Sequence, residues 1–164
     1  MNKKIYLKVA EYLNSHKGAK SVISVLNNIF TYSVFFSYLL FLVYILIKKS
    51  DNLLVYILIP AISFVVLSIF RYFYNAPRPY EKWPEIKNEC HTKTGMSFPS
   101  RHTFSAFIIS YMFFDYSKLL GIVFLVVSVF IALFRVLLLK HFIKDVSSSA
   151  IFATLIYIVF INFC

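Results

Sequence analysis

Glycine, cysteine and acidic residues are all scarce in this chain. Three glycines and five prolines in 164 residues leave no room for a flexible linker or a low-complexity tract, and no motif recurs at a fixed period. One compact helical unit spanning 1–164 is therefore expected. Two cysteines exclude a disulfide-dense scaffold. Cys90 falls in a polar loop and Cys164 at the end of the last apolar run, on opposite membrane faces in the topology given below, so they are not expected to pair. Glu89-Cys90-His91 lacks the second, spaced ligand pair that a zinc site needs, and no metal or other cofactor is expected. Seven Asp and Glu stand against 17 Lys and Arg, a formal charge of +10. The basic residues sit at the ends of apolar runs and in short loops, with no stripe along a soluble face. That argues against nucleic acid and for anionic lipid head groups as partners. The opening MNKKIYLKVAEYLNSHKGAK has neither a continuous apolar core nor a small-x-small cleavage site, so the N-terminus is expected to be retained.

What fills the chain instead is apolar. Hydrophobic residues make up 60% of it and aromatics 20%, against 15% charged, a balance that a soluble domain of this size does not carry. A membrane helix needs about 20 mostly apolar residues. Five runs approach that length, at 29–47, 53–74, 98–114, 119–139 and 146–163. The expected fold is all-α, a polytopic membrane helical bundle of about five transmembrane helices. Ahead of them, Ile5, Val9, Tyr12 and Leu13 recur at helical spacing while Lys3, Lys4, Lys8 and Glu11 take the other face. This predicts an interfacial helix within 1–20, with a frayed polar tail as the alternative. Pro77, Pro79 and Pro84 predict a non-helical loop over 75–97, and Pro60 predicts a kinked membrane helix. Five crossings place the N-terminus, the 75–97 loop and the 140–145 junction on one side of the membrane.

Three polar clusters interrupt the apolar pattern. In RYFYNAPRP, Arg71 lies on the last turn of the second run, where a cation suits the helix dipole or anchors at the interface. Arg78, between two prolines, is rigidly set. In SFPSRHTFSAF, Pro99 suits the first turn of a helix whose free N–H groups make an anion site. Ser100 adds a hydroxyl, Arg101 a charge and His102 a titratable proton, although a helix cap and an interfacial histidine remain open for Ser100 and His102. In RVLLLKHFIKD, Arg135 is a charge inside an apolar segment, which normally faces a partner or a wet cavity. His141 and Asp145 are four apart, on one helical face, and a carboxylate beside an imidazole holds the tautomer that a nucleophilic histidine requires. A structural His-Asp pair is the competing reading. All three clusters fall at helix ends on the same side of the expected topology.

These residues resemble the type 2 phosphatidic acid phosphatase superfamily, whose signature is Lys-x6-Arg-Pro, then Pro-Ser-Gly-His, then Ser-Arg-x5-His-x3-Asp. Here the parts read Arg71-x6-Arg78-Pro79, Pro99-Ser100-Arg101-His102 and Phe134-Arg135-x5-His141-x3-Asp145, with every internal spacing kept over 71–145. The departures are Arg71 for lysine, Arg101 for glycine and Phe134 for serine. The resemblance implies a membrane lipid phosphate phosphatase that uses no metal. It makes His141 the nucleophile that forms a phosphohistidine, Asp145 its orienting group and His102 the acid for the leaving group. Arg71, Arg78, Ser100, Arg101 and Arg135 hold the phosphate oxygens, and Arg101 is expected to alter head-group fit.

The resemblance also implies a multi-pass protein of a bacterial cytoplasmic membrane with its site on the outer face. Lysine bias argues the other way, because Lys48, Lys49 and Lys118 are alone on the side opposite the clusters. The expected substrate is an amphiphile with its phosphate at the interface. Undecaprenyl diphosphate comes first, followed by phosphatidylglycerophosphate and phosphatidic acid. The readings from other classes are an anion transporter or channel, which has no need of the two histidines, and a catalytically inactive lipid-phosphate-binding relative.

Overall fold

The computed structural model describes residues 3–86 and 93–163. Glu89, Cys90, His91 and Cys164, on which the zinc and disulfide expectations bear, lie outside them. Every regular element among the described residues is a helix: α1 (Lys3–Ser15), α2 (Lys17–Ile47), α3 (Leu53–Tyr74), the single turn α4 (Pro79–Lys82), α5 (Arg101–Tyr116), α6 (Lys118–Leu137) and α7 (Ile143–Phe163). Four of them, α2, α3, α6 and α7, are long and apolar enough to cross a membrane. The run at 98–114 becomes α5, whose 16 residues span about 24 Å at 1.5 Å per residue.

α5 is the centre of the bundle, packed by α2, α3, α6 and α7. Phe104, Ile108 and Met112 recur every fourth residue and are fully enclosed, and Ala106, Ile109 and Phe113 bury the adjoining faces. A helix apolar on all sides is stable only when surrounded. The outer helices do the reverse and turn large apolar groups outward, with Phe73 79% and Leu119 73% exposed, as a lipid-facing surface requires. Hydroxyls inside the bundle pair between helices: Ser110 on α5 with Ser128 on α6 at 2.9 Å, and Tyr111 with Thr154 on α7 at 2.7 Å. Close approach of α5 and α6 depends on Gly121, where a Cβ would lie 2.2 Å from the Cα of Phe114.

α3 runs through Pro60 as one helix, as expected of a proline that does not end it. Two boundaries differ from expectation. α2 starts at Lys17, twelve residues before the apolar run. Pro99 lies two residues ahead of α5, just before its N-cap Ser100, and follows a cis peptide bond.

α1 is amphipathic as expected but presents a different face. Tyr6, Ala10 and Leu13 are buried, whereas Ile5 and Tyr12 are more than half exposed. The buried side docks on Ile86, Leu139 and Phe142. Tyr6 packs tilted against Trp83 and edge-on against Phe142 at centroid distances of 5.3 and 5.6 Å, and its hydroxyl accepts the Ile143 N–H at 2.9 Å. α1 thus braces the same end of the bundle that carries the three sequence clusters. The opposite end is tied by Tyr56 donating to Asp115 at 2.8 Å and Tyr116 to Tyr44 at 3.0 Å.

Candidate functional site

The C-terminal ends of α3 and α6, the N-terminal ends of α5 and α7, and the loop around α4 meet at one end of the bundle around a cavity of about 300 Å³. Its wall carries Arg71, Arg78, Arg101 and Arg135 together with His102 and His141. Six of the eight site residues expected from sequence therefore converge. The other two stand behind the wall: Ser100 and Asp145 are fully buried, at 0% exposure.

Each arginine is held differently. Arg71, on the last turn of α3, donates through Nη1 to the Pro99 carbonyl and through Nη2 to the Met96 carbonyl, so part of its charge clamps the loop that leads into α5. Arg78 donates from Nε to the Gly95 carbonyl at 3.0 Å and from Nη1 to the Lys140 carbonyl at 3.3 Å. That loop is itself set by Glu81, which accepts the Arg78 N–H at 2.7 Å and the Gly95 N–H at 2.9 Å. Gly95 has φ +62, and a Cβ there would meet the Asn75 side chain at 2.1 Å, so only glycine fits. Arg101 lies over the Phe64 ring at 5.9 Å. Arg135 is nearly enclosed, and its Nε makes no hydrogen bond. A buried guanidinium with an unsatisfied donor is costly.

The N-terminus of α5 faces the same space. Its first intrahelical bond runs from Phe104 N–H to the Ser100 carbonyl at 2.9 Å, so the N–H groups of residues 101–103 precede the ladder and carry the positive end of the dipole. Ser100 is the N-cap, but its hydroxyl accepts from Thr103 Oγ1 at 3.1 Å and caps no backbone group.

His141 lies between α6 and α7, after a sharp reversal in which the Arg135 carbonyl accepts the N–H groups of Lys140 and His141 at 3.1 and 3.3 Å. The reversal uses Leu139 at φ +57, a conformation that glycine adopts readily and leucine rarely. Burial of the Leu139 side chain against the α1 brace stabilises it. His141 and Asp145 are not on one helix face, because α7 begins after His141. Asp145 occupies the first turn of α7, and its Oδ2 reaches back to accept the Phe142 N–H at 2.9 Å, half of a capping box. His141 Nδ1 lies 3.6 Å from that oxygen, within ion-pair range but too far for a hydrogen bond. Its nearer partner is the Ser97 carbonyl at 2.8 Å. A carbonyl only accepts, so the ring proton sits on Nδ1, which leaves Nε2 with a free lone pair. Burial holds the imidazole down at about 4 from an ordinary 6.5, Asp145 pulls it upward, and Arg78 adds to the depression. At neutral pH the ring is uncharged.

Asn28 from α2, Tyr80, Lys93 and Lys140 also line the cavity. None of these was assigned to the site by sequence. The lysines are indistinguishable from interface anchors before folding; the Asn27-Asn28 pair at the edge of an apolar run was the one available signal for α2. With the two lysines, six cationic side chains line the wall and, among the described residues, no carboxylate does. Arg101 and His102 also border a second, apolar groove of about 280 Å³ between α2, α3, α5 and α6, walled by Val34, Phe35, Phe64, Ile109 and Ile131. Phe134, in place of the serine of the resemblance, packs on Phe30 of α2 at 5.7 Å. It docks α2 against α6 and adds no polar group to the site.

Two solved structures share this architecture. The crystal structure of Aquifex aeolicus LpxE has a TM-score of 0.72 and 20% sequence identity, over 99% of this chain and 95% of that one. The crystal structure of the first transmembrane PAP2-type phosphatidylglycerolphosphate phosphatase from Bacillus subtilis has a TM-score of 0.63 and 20% identity, over 97% and 92% respectively. No curated protein sequence matches the chain. The family description "PAP2 superfamily" matches residues 52–164, which hold every helix from α3 onward and all three polar clusters. With the fold of a membrane lipid phosphatase and that match over more than half its length, the chain belongs to the PAP2 superfamily.

Proposed function

We propose that this protein hydrolyses the phosphate or diphosphate ester of an amphiphilic lipid through a phosphohistidine formed on His141. The observation that carries the reading is the cavity itself: His102 and a neutral His141 stand in a wall where the described residues supply six cations and no carboxylate, joined by Arg101 and His102 to an apolar groove. Nε2 of His141 attacks phosphorus, the bond from phosphorus to the leaving oxygen breaks with its electron pair, and that oxygen takes up a proton relayed from solvent through His102. Water then attacks the phosphohistidine, loses a proton through His102 back to solvent and releases inorganic phosphate as the P–N bond breaks. Asp145 steadies the positive charge that develops on the ring at attack. Arg71, Arg78, Arg101 and Arg135 hold the phosphoryl oxygens with the N–H groups at the start of α5, while Ser100 shapes that end from behind. Phosphoryl transfer needs chiefly positioning and compensation of charge on the equatorial oxygens, which this many guanidiniums supply without a metal.

A diphosphate matches the charge of the wall better than a monoester does, and the groove beside it takes a hydrocarbon chain. Undecaprenyl diphosphate therefore ranks ahead of phosphatidylglycerophosphate and phosphatidic acid, and the outer face of a bacterial cytoplasmic membrane is the proposed location. Phosphate release by purified protein in detergent with EDTA tests this on the three lipids, wild type against His141→Ala. Release from the diphosphate lipid that survives EDTA and falls at least about 1,000-fold in the variant is expected, since loss of a nucleophile removes the whole covalent route. Release that persists without His141, or none from any of the lipids, would overturn the reading; the latter would favour a lipid-phosphate-binding protein.

A further inference from the structure

Ser97 lies two residues before Pro99 and touches neither the cavity nor solvent, yet all three of its polar groups are committed. Its N–H donates to the Ala76 carbonyl at 2.8 Å, tying it to the exit of α3. Its hydroxyl donates to Oδ2 of Asp145. Its carbonyl accepts the proton on Nδ1 of His141 at 2.8 Å. Asp145 is just as fully engaged through Oδ2, while its Oδ1 makes no hydrogen bond, and its own carbonyl accepts the Ser100 N–H at 3.1 Å and the Ser149 hydroxyl at 2.6 Å. The carboxylate and the imidazole, 3.6 Å apart, are thus joined chiefly through this serine.

We propose that Ser97 is a positioning residue: Asp145 fixes the Ser97 hydroxyl, and the Ser97 carbonyl thereby fixes the tautomer and the aim of His141. This rests on the reading of His141 as the nucleophile. A histidine that attacks through Nε2 must keep its proton on Nδ1, and a carbonyl enforces this because it cannot donate. The carboxylate, held off the ring by the serine, contributes its charge to the developing imidazolium without competing for the proton. Removing the hydroxyl frees the 97 backbone from Asp145 and leaves it the Ala76 bond and the Arg71 clamps on either side, so the carbonyl is aimed less closely and the ring gains freedom to turn. Misplacement on the scale of 1 Å costs about 100-fold in rate.

The test compares Ser97→Ala, Ser97→Cys and Ser97→Thr in the full-length protein in detergent, with thermal unfolding recorded alongside. Expected is a kcat lower by about 10- to 100-fold in Ser97→Ala with KM within about twofold, an intermediate value in Ser97→Cys, which keeps the volume and weakens the donor, and recovery in Ser97→Thr. Nitrogen-15 spectra of the histidine rings, with His141 assigned from His141→Ala, should show one Nδ1-protonated tautomer in wild type and a mixture in the alanine and cysteine variants. Wild-type kcat and an unchanged ring spectrum in both of those variants would overturn the proposal. If Ser97→Ala does not fold, Ser97→Cys against Ser97→Thr decides by the same two readouts. The ring spectra need no substrate, so a protein silent on every lipid would sink the proposed function while the tautomer still reports on Ser97.

Discussion

His141 shows how far burial reshapes a single group. A free imidazole is half protonated near 6.5, whereas this one is held at about 4, with removal from water as the largest cause. Unfolding exposes the ring to its ordinary value, so between about 4 and 6.5 the unfolded chain binds the extra proton. The stability this group contributes is complete above that window and is lost as pH falls through it. With His141 as the proposed nucleophile, the acid limb of kcat/KM should lie near 4, since only the neutral ring has its lone pair free. A pH-rate profile checks this, and an acid limb at 6.5 would show a solvated histidine. Much of this site was legible residue by residue. Arg71, Arg78, Arg101, His102, Arg135 and His141 were identified from spacing and helix-end position, and all reach the cavity. Ser97 was not, because its contact with the histidine is made by a backbone carbonyl, which leaves no mark in a side-chain pattern.

Among the elements, the pairing of α5 with α6 depends most closely on one position. A Cβ at residue 121 would meet the backbone and Cβ of Phe114 at 2.2 and 2.3 Å, and backbone cannot give way as a flexible side chain can. Gly121→Ala should therefore cost about 1–3 kcal/mol by overpacking, seen as a lower unfolding temperature in detergent. Gly18→Ala is the control: nothing lies within 4 Å of a Cβ there, and alanine suits a helix better than glycine, so no loss is expected. α1 illustrates the limits of periodicity. Its amphipathic pattern was plain, but the buried face turned out to be Tyr6, Ala10 and Leu13, because Trp83 and Phe142 offer an aromatic pocket that no local pattern announces.

For the whole molecule, the two ends of the bundle are chemically distinct. One gathers the cavity and its cations, the other the Tyr44, Tyr56, Asp115 and Tyr116 contacts. α7 starts at the first end and runs to the second, so a reporter fused after Cys164 reads the orientation of the site. An outward-facing cavity requires a cytoplasmic C-terminus: an alkaline phosphatase fusion should be inactive and a fluorescent protein fusion bright. The opposite result would place the cavity in the cytoplasm, as the lysine distribution by itself suggests.

Composition alone determined that this is a membrane bundle, since side chains that are 60% hydrophobic cannot all be buried in so short a chain and must face lipid. Spacing alone singled out the polar residues that gather at one end of the bundle, because helix geometry fixes where polar groups at helix ends fall. The tertiary structure decided what neither controls: that α5 is the enclosed central helix, that α1 braces the His141 reversal, and that Ser100 and Asp145 stand behind the cavity wall. It also decided that Asp145 meets His141 by way of Ser97. These depend on contacts between segments far apart in the chain, such as residues 97 and 141 or 6 and 143, and no local pattern encodes the meeting of two distant backbones.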